Sequence, residues 1–113
     1  MSAADGLGRY HRAVAEHVHD ALAGLIRSVL ETPGETSPTV RSAAFAGDTL
    51  SEPIGSYVSK VREGSHRVTD RDIIGLRSAG YSEDAIFEIT LAAAVGAAKR
   101  RLDVALGLLQ RTS

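Results

Sequence analysis

The 113-residue chain contains no cysteine and no tryptophan, and its aromatic residues are limited to three tyrosines and two phenylalanines. Without a thiol there is no disulfide, thiolate zinc site, cysteine nucleophile or redox dithiol. Charge of one sign is not in excess either: 13 Lys and Arg stand against 14 Asp and Glu. A formal charge of −1 provides no net field for nucleic acid or anionic lipid. Long apolar runs are missing too. The longest, Ile89 to Ala98, is too short to cross a bilayer. Met1 to Gly6 already includes Asp5 and has no apolar run behind a positive charge, so no secretory signal is expected and a cytoplasmic location is. Strand-period alternation and internal repeats are absent as well.

What remains is helical periodicity. The expected fold is all-α, a single domain over 1–113 with about five helices: a long first helix to residue 31, a linker over 32–38 and core helices over 39–113. By surface scaling a chain of this mass exposes roughly 6,000 Å² when folded and roughly 17,000 Å² unfolded, which allows a modest core. From Asp5 to Glu31, Leu7, Tyr10, Val14, Val18, Ala21, Leu22, Leu25, Ile26 and Val29 recur at three- and four-residue intervals. Thr32 to Pro38 holds two prolines and a glycine and breaks the helix. Ser37 before Pro38 reads as an N-cap with a first-turn proline, opening a short helix through Val40 and Ala44 toward Leu50. Ser51 ahead of Glu52 and Pro53 repeats that signal, and Ile54, Tyr57, Val58 and Val61 then share a face up to Gly64.

Thr69 caps the next helix, with Asp72 completing a capping box and Val68 and Ile73 at staple positions. Gly80 closes it in the left-handed conformation. Ser82, bracketed by Tyr81 and Ile86, opens the last helix, expected from Glu83 to Gln110. Between Ala85 and Ala98 only Glu88 and Thr90 are polar, so this half is expected at the centre of the bundle. Beyond Lys99 the stripe Leu102, Ala105, Leu106 and Leu109, together with the seam of the first helix, is the expected surface for self-association.

The run from Val68 to Glu88, with Leu76-Arg77-Ser78-Ala79-Gly80-Tyr81-Ser82-Glu83-Asp84-Ala85-Ile86 at its centre, resembles the alkylhydroperoxidase-D-like, carboxymuconolactone decarboxylase family. The likeness covers roughly residues 54–110, including the alanine-rich helix and its basic end Lys99-Arg100-Arg101. It implies a trimer or hexamer of the helical unit. Peroxidase members carry Cys-x-x-Cys on the helix before this run. Here that helix offers Ser56-Tyr57-Val58-Ser59. A serine forms neither sulfenic acid nor disulfide, so thiol peroxidase activity does not carry over. The resemblance leaves two expectations: a noncatalytic oligomeric assembly or binding module, or a cofactor-free decarboxylase-type enzyme.

For the enzyme the candidate catalytic residues are Glu88, His66 and Arg100. Burial in an apolar stretch would raise the pKa of Glu88 and make it a proton carrier, with His66 as an acid or base and Arg100 near the substrate. The alternative for Glu88 is a surface position or an ion pair with an arginine such as Arg77. No cofactor is expected. His11, His17 and His19 point in different directions on a helix, so no metal site is expected from them. The glycines form no phosphate loop, and a helix-turn-helix reading fails because the helix after Gly80 is apolar, so neither nucleic acid nor a membrane is an expected partner.

Overall fold

A computed structural model of the chain describes residues 3–112, without the side chains of residues 3–7, 11, 15 and 112. Expectations resting on the side chains of Leu7 and His11 lie outside the described residues. The described residues form an all-α bundle of five helices: α1 (Ala3–Glu31), α2 (Pro38–Ala46), α3 (Ile54–Glu63), α4 (Asp70–Ser78) and α5 (Glu83–Thr112), with a 3₁₀ turn (Ser65–Arg67) ahead of α4. α5 touches each of the other four helices. The core cluster accordingly runs along it, with Ile86, Ile89, Ala92, Ala93 and Val95 packed among Val29, Ala44, Tyr57, Val58 and Leu76.

Helix ends follow local chemistry. The Ser37 hydroxyl accepts the Val40 N–H at 3.2 Å, with Pro38 in the first turn. At Thr69 both halves of the capping box form: its hydroxyl accepts the Asp72 N–H, and the Asp72 carboxylate accepts the Thr69 N–H at 2.8 Å. Lys60 adds a 2.7 Å ion pair to that carboxylate. The Lys60 hydrogen bond, then the Thr69 N–H, hold Asp72 below its ordinary pKa. Ser82 accepts the Ala85 N–H at 3.1 Å. Gly80, at φ +101°, ends α4 in a Schellman motif, with the Tyr81 N–H on the Leu76 carbonyl and its own N–H on Arg77.

The second helix is shorter than the sequence implies. Gly47 takes φ +76° and the Asp48 N–H closes on the Ala43 carbonyl, so α2 stops at Ala46 instead of reaching toward Leu50. The start of α3 also differs. Its capping acceptor is the Glu52 carboxylate, taking the Ser56 N–H at 3.3 Å, and not the Ser51 hydroxyl.

α5 is central, yet its alanine-rich half is not enclosed. Ala92, Ala93 and Ile89 are fully buried, whereas Phe87 is 66% exposed and Leu91 37%. Ala94, Ala98 and Ala105 open to solvent on the same side. Within the expected association stripe Leu106 is buried inside the chain and Leu102 half-buried, while Ala105 and Leu109 are exposed. On α1, Leu22, Ile26 and Val29 turn toward the interior, while Val14 and Leu25 stay exposed. A composition apolar on every side therefore divides between one face packed inside the chain and one open to solvent. No helix among the described residues is long and apolar enough to cross a membrane.

Candidate functional site

Glu88 and Thr90, the two polar interruptions of the apolar half of α5, are both engaged. Thr90 donates its hydroxyl proton to the Ile86 carbonyl at 2.6 Å. Its oxygen, 2.6 Å from the Tyr57 hydroxyl, is therefore the acceptor in that contact, which fastens α3 to α5. Glu88 does the same for the loop between α1 and α2. One carboxylate oxygen accepts the Glu35 N–H at 2.8 Å, and the other accepts the Thr36 N–H at 3.0 Å and the Thr36 hydroxyl at 2.8 Å. Gly34 lies so close that an added Cβ would stand 2.5 Å from a Glu88 oxygen, so the loop wraps the carboxylate only with glycine there.

The electrostatics reverse the sequence expectation. Partial burial pushes the Glu88 carboxyl up, but the N–H groups of Thr36 and Glu35, the Thr36 hydroxyl and the charge of Arg41 outweigh it and hold the pKa below the ordinary value. The charged form is the stable one. Its cationic neighbour is Arg41 and not Arg77. Arg41 is 3% exposed, and its Nη1 donates to the carbonyls of Val29 at 2.9 Å and Thr32 at 2.6 Å, capping the C-terminus of α1. Its Nε is buried without a partner among the described residues.

Two further arginines repeat this device. Arg62 Nη1 donates to the Phe45 carbonyl at 2.5 Å and to Ala44 at 3.3 Å, capping α2. Arg101 Nη2 donates to the Arg62 carbonyl at 2.8 Å in the last turn of α3. None of these roles is visible in the sequence. The one available signal is that Arg41 is the sole charge in a nine-residue helix.

The three candidate catalytic residues are not brought together. Glu88 borders an open depression with Gly34, Asp84 and Phe87. Arg100 lines a separate cleft with Arg62 and Arg101, more than three turns or about 18 Å farther along the same helix. His66 sits exposed in the 3₁₀ turn, its ring folded against Gly64. Ser59 faces the arginine cleft and Ser56 is exposed. A third cavity, of about 300 Å³, lies between Val40, Ile54 and Tyr81 with the hydroxyls of Ser37 and Ser82 at its rim. No group of three His, Asp or Glu side chains with metal-binding geometry occurs among the described residues. No family model, curated protein or solved structure matches this chain.

A carboxylate held by three donors is a latch, and its removal is measurable. Glu88→Gln is expected to lower stability at pH 7 by about 1–2 kcal/mol in urea unfolding, since the amide replaces one accepting oxygen with an NH2 donor and the remaining oxygen accepts without charge assistance. The folded-state pKa lies below the unfolded one, so the stabilisation is complete above the ordinary carboxyl range and disappears as pH falls through the folded value. Wild-type stability therefore drops on acidification through and below the ordinary carboxyl range, and Glu88→Gln flattens part of that drop. An unchanged acid limb in the variant would rule out the latch.

Proposed function

We propose that the chain is a noncatalytic helical assembly module, a cysteine-free relative of the carboxymuconolactone decarboxylase-like proteins, whose working form is a homo-oligomer joined along the outward face of α5. The observation that carries this reading is the exposed row Phe87, Leu91, Ala94, Ala98 and Ala105. These positions repeat at intervals of four and three residues, the spacing of a helix–helix seam, and alanines at its centre allow close approach of a second helix. Arg101 falls in the same row, but its guanidinium is turned to the Arg62 carbonyl and leaves the row's centre uncharged.

Area supports the same conclusion. The chain exposes 7364 Å², roughly 1,400 Å² more than the scaling gives for a compact monomer of this mass. A standard interface needs about 800 Å² from each partner. Charge favours a second copy as occupant. α5 begins with Glu83 and Asp84 and ends with Arg111, so an antiparallel neighbour brings the acidic end of one copy near the basic end of the other. Such a contact is two-fold, and of the assemblies the family resemblance implies, a hexamer of dihedral symmetry contains two-fold contacts whereas a cyclic trimer does not. The decarboxylase-type alternative requires Glu88 as a free acid or base, and its carboxylate is charged and occupied.

Light scattering coupled to gel filtration tests the proposal. Wild type is expected to elute as an oligomer at about 100 μM, and Leu91→Glu as a folded monomer with unchanged helical circular dichroism, because a carboxylate within an apolar seam must be desolvated. A monomeric wild type at that concentration, or an oligomer indifferent to Leu91→Glu, overturns it.

A further inference from the structure

The cleft of about 530 Å³ between the α2–α3 corner and the second half of α5 gathers three guanidinium groups, those of Arg62, Arg100 and Arg101. Two are fixed in place by their bonds to helix-end carbonyls. Arg100 makes no hydrogen bond or ion pair among the described residues and is exposed to the cleft. The cations are close enough to disfavour one another: burial first, then the charges of Arg100 and Arg101, lower the pKa of Arg62. Like charges assembled without neutralisation carry an energetic cost that an anion between them relieves.

The acidic residues of the cleft do not supply that neutralisation in full. Glu63 is paired with Arg67. Glu52 caps the Ser56 N–H. Asp48 is the carboxylate whose charge acts on Arg62. With Glu63 balanced by Arg67, three guanidiniums against the carboxylates of Asp48 and Glu52 leave a formal charge of +1 on the cleft wall. The Gly47 backbone packs against the guanidinium: a Cβ there would lie 2.8 Å from Arg62 Nε and 3.0 Å from its Cζ, so this close approach requires glycine. An Nε–Nη edge is the guanidinium face that takes two oxygens of a phosphoryl or carboxylate group in parallel.

We propose that this cleft is a binding site for a compact dianion, held first by Arg100, with Arg62 and Arg101 completing the positive wall. The cleft is large enough for a small phosphorylated or dicarboxylic metabolite and far too small for a nucleic-acid helix. This inference does not rest on the assembly reading: Arg100 lies on a different side of α5 from the apolar row, and the two surfaces meet only at Arg101.

Titration calorimetry of the full chain with inorganic phosphate and with succinate, at one ionic strength set by sodium chloride, tests the site. Saturable binding of at least one probe is expected, and Arg100→Gln, which removes an exposed side chain outside the helix-capping bonds, is expected to weaken it roughly tenfold or more with helical content unchanged. Phosphate alone identifies a phosphoryl ligand. Succinate alone identifies a dicarboxylate, and both together a site that reads charge and spacing. Failure of both probes to bind, or equal binding by Arg100→Gln, overturns the proposal. So does heat that disappears when chloride replaces the probe's ionic contribution, since that is screening and not a site.

Discussion

Arg41→Ala is expected to destabilise the bundle by about 3–4 kcal/mol. The side chain is almost wholly buried and serves the carbonyls of Val29 and Thr32, so its removal leaves acceptors unsatisfied at the end of α1 and a void beneath them. It also removes the cation beside Glu88, whose pKa should rise toward the ordinary value. Arg41→Lys is expected to recover less than half of the loss, because one ammonium cannot reproduce a planar fork spanning two carbonyls. Arg41→Met tests the other contribution. It refills the volume and discards the unpartnered Nε, so it should be milder than alanine. Urea unfolding followed by circular dichroism distinguishes the three variants. Equal stability of Arg41→Ala and wild type would show that α1 ends without this cap.

Gly96→Ala should cost about 2 kcal/mol net, although the same change normally helps a helix. In an unobstructed interior position alanine gains roughly 1 kcal/mol over glycine. At Gly96 the new Cβ would stand 1.9 Å from the Phe45 carbonyl oxygen and 2.8 Å from Arg62 Nη1. The first of these is backbone and cannot rotate aside, so α2 must move off α5 and give up part of the Arg62 bond to Phe45. Overpacking of this kind costs roughly 1–3 kcal/mol and occasionally more, which reverses the sign. Gly75 in α4 is the control. A Cβ added there would meet nothing within 4 Å among the described residues, so Gly75→Ala should stabilise by about 0.5–1 kcal/mol. Urea midpoints of the two variants check the pair. A gain at both positions would mean that α2 does not rest on α5 at Gly96.

The helix starts are legible in the sequence because their chemistry is local. Ser37 with Pro38, Thr69 with Asp72, and Ser82 each cap a residue three positions on, and each does so in the structure. The end of α2 is equally local, but Gly47 and Asp48 do not stand out within a run that remains partly apolar to Leu50. At α3 a serine precedes a proline as it does at α2, yet the neighbouring carboxylate takes the capping bond. Glu88 is visible as an anomaly in an apolar segment. Its partners are not, because Glu35 and Thr36 come from a loop more than fifty residues earlier. Periodicity also marks α5 as apolar all round without dividing that surface between an internal core and an outward row. Arg41, Arg62 and Arg101 are beyond sequence reasoning for a related reason: their acceptors are carbonyls, which every residue carries.

Those three arginines share a direction. Each reaches back to an earlier helix: Arg41 to the end of α1, Arg62 to α2 and Arg101 to α3. Arg101 in turn grips the backbone of the very residue whose side chain holds α2. Each helix in this series leaves some of its terminal carbonyls to a later stretch of polypeptide, whatever local turn also closes it. During synthesis the earlier helices would leave the ribosome with open carbonyl ends and fasten in order, the last clasp arriving with α5. Shortening the protein from its carboxyl end should accordingly undo the bundle link by link, as a zip opens from its slider, instead of simply trimming one rod.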